Sequence, residues 1–327
     1  MSQKDFLTHN QQMKRLRDVK KIACSGSADK EILCRLGYFN LVNGYKNAFV
    51  AGKDGQGNHI YYHGTSVQEL YALKQFDDEL RSILLKHLTK VEEEVRTVFA
   101  YKFDELNDNG KITWYQIEAY EQKAGGAPVM KAISRAYRDV DNSSQEYVKY
   151  YREHHKFIPT WIMIKVVSFS DFINLVNCSK NPVKQALCKM YGIVDSSGKE
   201  DFDLLIGSLH WIRIVRNSCA HNERIYTMCN PKSRIRTIYM DALAKSYATG
   251  RDKRIMDLLV YMKYYCPHTE YVEFIEQIKE QLTWLQGKIF KAAFDNVRAQ
   301  LGIKDLSHLD KLCDKSKRIN YNQLSKL

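Results

Sequence analysis

Residues 66–104 read SVQELYALKQFDDELRSILLKHLTKVEEEVRTVFAYKFD. Apolar residues recur at Val67, Leu70, Leu73, Phe76, Leu80, Ile83, Leu84, Leu88, Val91, Val95 and Val98. Steps of three and four keep them on one side of a 3.6-residue helix, and the opposite side is rich in charge. Ser66 and Glu69 open the segment with the S-x-x-E pattern of a capping box. The spacing predicts one long amphipathic helix over the whole stretch.

The flanking sequence extends the helical pattern in both directions. SADKEILCRLGYF (27–39) reads as a helix stopped by Gly37. AGKDGQGNHIYYHG (51–64) holds two turn signals with β-friendly flanks and predicts a small hairpin. On the far side, loops are expected at 107–111 and around Gly125-Gly126. SQEYVKYYREHH (144–155) predicts a helix that Pro159 breaks. An apolar helix is expected over roughly Trp161–Val176. Asn181 and Pro182 fit N-cap and N1 of a further helix that Gly192 ends. RIMDLLVYMKYY (254–265) and EYVEFIEQIKEQLTWLQGKIFKAAFDNVRAQ (270–300) predict helices, the second with a weak point at Gly287. Only 5 prolines and 16 glycines occur in 327 residues. The fold class expected is all-α, with one minor hairpin. Its divisions are an N-terminal region 1–65, a core 66–228 and a basic helical region 229–327.

The formal charge of +12 points to a polyanionic partner, either nucleic acid or an anionic membrane surface. No apolar run is long enough to span a bilayer, and the N-terminus lacks the apolar stretch of a signal peptide. Eight cysteines are scattered without a C-x-x-C pair, so a zinc knuckle or thioredoxin-type site is not indicated. The reducing cytoplasm is the expected compartment, and no metal or cofactor is expected. Tyrosines interleaved with basic residues can stack on bases, although tyrosine at a core edge is the commoner use.

One stretch does not read as packing. VRNSCAHNERIY (215–226) continues the apolar run LLIGSLHWIRIV, with Asp201 or Asp203 as the cap of the predicted helix. On a wheel over 203–226, Leu205, Leu209, Ile212, Val215 and Cys219 share one face. Arg213, Asn217, His221 and Arg224 form a polar stripe beside it, flanked by Arg216. A macrodipole effect acts over the last turn only and does not account for the whole stripe. One histidine among cations is not a metal site. The set does suit a phosphodiester. Arginine offers a planar fork to phosphate oxygens, histidine exchanges a proton near neutral pH, and Asn217 can orient either.

RNSCAHNERIY resembles the R-N-x-x-x-H motif (an R-x4-H pattern) of HEPN-domain ribonucleases. More closely, the chain resembles the bacterial abortive-infection family of the AbiD/AbiF type. LGYFNLVNGYKNAF is similar to the family's L-G-Y-x-x-L-x-G-Y stretch, and FDDELRSILLKHLTKVEEEVRTVFAY to its F-D-x-x-L-R…E-x-x-x-R helix. REHHKFIPTWIMIKVVSFSDFINLV is similar to its H-Y…P-x-W…S-F-G segment, with His155 and Ser170 departing from that pattern. The resemblance spans about residues 30–228. It implies a HEPN-type helical bundle that dimerises, so that two R-x4-H motifs meet in a composite, metal-independent RNA-cleaving site. Arg216, Asn217 and His221 carry over as its catalytic residues, and Arg224 matches a following arginine. Glu92 stands at the family's acidic position as a partner for Arg216 or His221. The resemblance also implies an anti-phage toxin restrained by a small structured noncoding RNA.

Other residues are ambiguous. Glu93 and Glu94 read more simply as a solvated face. His154 and His155 fit either an RNA contact or a surface role. Lys14, Arg15, Arg17, Lys20 and Lys21 form a basic cluster, and Lys232, Arg234, Arg236, Arg251, Lys253 and Arg254 form another. Both suit RNA phosphates, as does Arg213, although solvation is the default for surface cations. Two functions follow: an endoribonuclease toxin, or a non-catalytic RNA-binding module in which the same motif only grips phosphates.

Overall fold

The computed structural model describes residues 6–121, 126–155, 157–195, 197–230 and 253–314. In chain order the helices are α1 (His9–Asp18), α2 (Gly26–Leu36), α3 (Val67–Glu105), α4 (Ala127–Asp141), α5 (Glu146–His154), α6 (Thr160–Val166), α7 (Phe169–Cys178), α8 (Asn181–Tyr191) and α9 (Phe202–Ala220). After the gap come α10 (Ile255–Tyr265), α11 (His268–Gln286), α12 (Lys291–Leu301) and α13 (Ser307–Leu312). Two short strands, β1 (Val50–Lys53) and β2 (His59–Tyr61), make an antiparallel hairpin. The protein is all-α with this one minor hairpin, as expected.

The long helix forms because both ends of its code agree. Ser66 Oγ accepts the Glu69 amide (3.3 Å), and Glu69 Oε2 accepts the Ser66 amide (3.0 Å), completing the capping box. Val67, Leu70, Leu73, Phe76, Leu80, Leu84, Leu88, Val91 and Val95 are buried, and Ile83 and Val98 are partly so. Helix α3 is the axis of the bundle: α2, α6, α8, α9 and α11 all pack against it. Helix α10 is buried over its full length, and the C-terminal helices join the same core. Phe290 donates its amide to Glu69 (3.1 Å), and Asn296 donates to the Ala48 carbonyl (2.9 Å), tying α12 to the hairpin end of α3.

Two expectations need correction. The apolar helix over Trp161–Val176 is two helices, α6 and α7, broken at Val167–Ser168 without Gly or Pro. Ser168 starts a new helix instead, its Oγ accepting the Asp171 amide (3.1 Å). Asn181 lies inside α8, and Lys180 holds the N-cap position. Gly287 is a weak point as expected: the segment 270–300 divides there into α11 and α12. Gly37 (φ 75°) and Gly192 (φ 62°) end α2 and α8 as predicted, and Asp201 caps α9 by accepting the Leu204 amide (2.8 Å). No helix among the described residues is long and apolar enough to cross a membrane.

Candidate functional site

The helix that carries the motif ends earlier than its wheel suggests. α9 stops at Ala220, with His221 as C-cap. Asn222 adopts the left-handed conformation (φ 58°), which Asn tolerates better than most residues. The Glu223 amide bonds back to the Ser218 carbonyl (2.9 Å), and the Asn222 amide to that of Cys219 (3.2 Å). This is a Schellman turn with asparagine in the glycine position. Ser218 Oγ donates to the Glu223 carboxylate (2.6 Å), bracing the turn a second time. Arg213, Asn217 and His221 therefore keep their helical spacing, but Arg224 does not belong to the stripe. Its Nε donates to Thr227 Oγ1 (2.8 Å), its Nη1 donates to the Gly44 carbonyl, and its guanidinium lies over the Tyr226 ring (5.9 Å).

What fixes the chain beyond the turn is a carboxylate on α3. Asp77 is fully buried, and its oxygens accept the amides of Tyr226 (2.8 Å) and Ile225 (3.1 Å). It also accepts from Tyr45 Oη (3.0 Å) and Arg81 Nη1 (2.9 Å). Burial pushes the Asp77 carboxyl up, and the Tyr226 amide and Arg81 oppose that shift. Arg81 also donates to the Glu223 carbonyl (3.1 Å) and pairs with Asp78. The Tyr45 and Tyr226 rings stack with centroids 5.9 Å apart. This knot locks the 223–226 segment to the bundle and so holds His221 at a defined helix end.

Four turns further along α3 is a second acid–arginine pair. Glu92 is buried, and its Oε1 accepts from Arg96 Nη2 (2.7 Å) and Nε (3.1 Å). Its other oxygen lies 2.8 Å from Arg216 Nη2, an ion pair that falls short of an aligned hydrogen bond. Arg216 Nη1 donates to the Asn217 side-chain oxygen (3.0 Å). Arg96 donates its remaining arm to the Ile164 carbonyl (2.6 Å) and lies over the Phe172 and Phe169 rings (5.0 and 5.5 Å). That carbonyl lies in the last turn of α6, just before the break at Val167–Ser168. Burial holds the Arg96 guanidinium below its ordinary range, with Glu92 opposing and Arg216 reinforcing the shift. Two arginines thus share one carboxylate, leaving the trio with one net positive charge.

Arg216, Asn217, Glu92 and Arg96 line an open cleft of ≈ 540 Å³ whose other wall is the α6–α7 break. His221 is exposed, lies one turn beyond Asn217, and is not part of that wall. Its imidazole makes no hydrogen bond among the described residues. Arg213 is half-buried, with a buried Nε that has no hydrogen-bond partner. Glu93 is exposed, 3.7 Å from Lys165. His154 and His155 stack on Tyr150 and Tyr151 (4.7 Å each) at the surface. Lys14 and Arg15 are exposed on α1, and Arg17 donates to the Cys24 carbonyl (3.0 Å). Arg254 begins α10 and donates to the Gln300 carbonyl (2.9 Å), while Lys253 is buried beside it. Lys232, Arg234, Arg236 and Arg251 lie outside the described residues. Among the described residues, no three His, Cys, Asp or Glu side chains are grouped to hold a metal ion.

Tyr45, Asp77 and Arg81 lie in the family-like stretches LGYFNLVNGYKNAF and FDDELR, but their shared role does not follow from the sequence, because nothing local marks a charge as buried.

Together these observations define an all-helical protein in which one long helix anchors an Arg–Asn–His segment through two acid–arginine pairs. The family model described as Abi-like protein matches residues 31–227, and the chain belongs to that family. No curated protein and no solved structure matches.

Proposed function

We propose that this protein is a HEPN-type, metal-independent endoribonuclease acting in abortive infection, with Arg216, Asn217 and His221 as its catalytic set. The observation that carries the reading is the division of the motif. Arg216 is anchored in an open cleft by Glu92 and Asn217, while His221 is held rigidly at the helix end with its imidazole in solvent. A residue needed only for packing would be buried, and histidine is a side chain that can act as proton donor or acceptor.

RNA carries its own nucleophile. A base removes the proton of the 2′-hydroxyl, and O2′ attacks the adjacent phosphorus. The P–O5′ bond breaks, and an acid protonates the departing O5′. The products are a 2′,3′-cyclic phosphate and a 5′-hydroxyl. The reaction requires a proton acceptor, a proton donor and cationic stabilisation of the phosphorane. One chain offers one such histidine, so the reading includes a homodimer in which two motifs supply both proton-transfer groups. Asn217 fixes the Arg216 fork, and Glu92 holds its second edge, so that the guanidinium arrives preorganised. A small noncoding RNA as the restraining partner belongs to the same reading.

The test is incubation of purified protein with end-labelled RNA in EDTA, followed by end-group analysis. Cyclic-phosphate and 5′-hydroxyl ends are expected. Binding without cleavage, after any copurifying RNA is removed, would favour the non-catalytic RNA-binding module instead.

A further inference from the structure

A second cleft lies beside the N-terminal end of α3 and shares no lining residue with the Arg216 cleft. It has a volume of ≈ 1000 Å³ and runs between the α1–α2 connection and the hairpin. The chain closes it by a short parallel bridge. Ala23 donates its amide to the Thr65 carbonyl (2.7 Å), and Val67 donates to that of Ala23 (2.9 Å). Arg15, Arg17, Lys20, Lys21 and Lys46 all line it. Arg15 and Arg17 sit in the last turn of α1, where the helix dipole favours cations. That does not explain the other three. Lys20 and Lys21 come from the connection, and Lys46 comes from the turn before β1.

Opposing charge is scarce. Lys46 Nζ donates to the Asn43 side-chain oxygen (2.9 Å), and among the described residues the one carboxylate lining the cleft, Asp54, is folded into its own turn. It accepts the Gln56 and Asn58 amides (2.9 and 2.8 Å) and the Asn58 side-chain amide (3.0 Å). The cations repel one another: burial, then Lys46, then Arg15 hold the Lys20 ammonium below its ordinary value. Lys20 lies 6.0 Å over the Tyr61 ring, and His59 and Ile60 are exposed beside it on β2. Small-molecule pockets are mostly apolar with a few polar groups. A basic, open track with an exposed ring and an aliphatic side chain at its edge has the composition of a groove for a nucleic-acid strand.

We infer that this cleft binds the phosphates of a single nucleic-acid strand, as a site separate from the Arg216 cleft. The inference does not depend on ribonuclease activity. Its probe is a short labelled oligothymidylate, which lacks the 2′-hydroxyl and cannot be cleaved by that chemistry. Anisotropy titrations on the full chain at several salt concentrations give the affinity and its log–log salt slope. The triple variant Lys20→Gln/Lys21→Gln/Lys46→Gln should bind more weakly, with a slope shallower by about 2, at roughly 0.7 per lost phosphate contact on a single strand. Circular dichroism confirms that the variant is folded. If it is not, Lys21→Glu, at an exposed position, must by itself weaken binding. Unchanged affinity and slope in the folded triple variant, or in Lys21→Glu, would overturn the inference. So would saturable binding of sodium triphosphate by a protein that ignores the oligonucleotide, since the cleft would then serve free polyphosphate.

Discussion

Helix α3 carries the same pair twice, an acid followed four residues later by arginine, and the two copies do different work. At Asp77–Arg81 the acid is fully buried, and its carboxylate accepts from a tyrosine, an arginine and two backbone amides. In Glu92–Arg96 the acid is also buried, though less completely, and its second oxygen faces a third charge, Arg216, at the wall of an open cleft. Spacing sets the pair in both cases. What surrounds the free edge of the carboxylate decides whether the pair closes a fold or orients a cation toward a ligand.

The comparison predicts unequal costs. Asp77→Ala should be the most damaging change. It leaves Arg81 buried without its main partner, a loss of about 3–5 kcal/mol, and strands two amides. Thermal melting should show a drop on the order of 10 °C, and limited proteolysis should find new cuts near 223–226. A melting point within a degree or two of the parent would dissolve the distinction between the pairs.

Glu92 separates charge from shape. Glu92→Ala leaves Arg96 unpaired in the interior and should cost about 3 kcal/mol. Glu92→Gln keeps the volume and one acceptor for Arg96, so it should cost less, about 1–2 kcal/mol. It should nevertheless slow cleavage, because Arg216 loses its anionic anchor. Equal rates for Glu92→Gln and the parent in single-turnover assays would mean that Glu92 serves the fold alone. Smaller again is Tyr45→Phe, which removes one of several donors to Asp77 and should cost about 1 kcal/mol by denaturant titration. His221→Ala comes last in stability, within about 0.5 kcal/mol, because the side chain is exposed and the turn around it is made by backbone and Ser218.

Much of this architecture is legible in the sequence where local rules suffice. The stripe of α3, the Ser66–Glu69 box, the Gly37 and Gly192 stops and the Asp201 cap all depend on residues within a few positions of one another. The end of α9 is not legible in that way. α9 ends at Ala220 because Asn222 takes a left-handed conformation and Asp77, 148 and 149 positions earlier in the chain, captures the amides of Ile225 and Tyr226. No neighbour in sequence signals that contact. The α6–α7 break was partly readable, since Ser168 and Asp171 have capping spacing, but an unbroken apolar pattern outweighed it. At the site, the residue types of the motif were plain. The sharing of Glu92 by Arg96 and Arg216, and the separation of His221 from the cleft wall, depend on packing between α3, α6, α7 and α9.

The central claim is that His221 transfers a proton rather than supporting the fold or holding RNA. Its most direct test is the single-turnover rate of RNA cleavage in EDTA by His221→Ala beside the parent, at saturating protein and with both shown to melt alike. The account predicts a rate lower by roughly 10²- to 10⁴-fold with RNA affinity little changed. Cleavage at the parent's rate by the folded variant would contradict it.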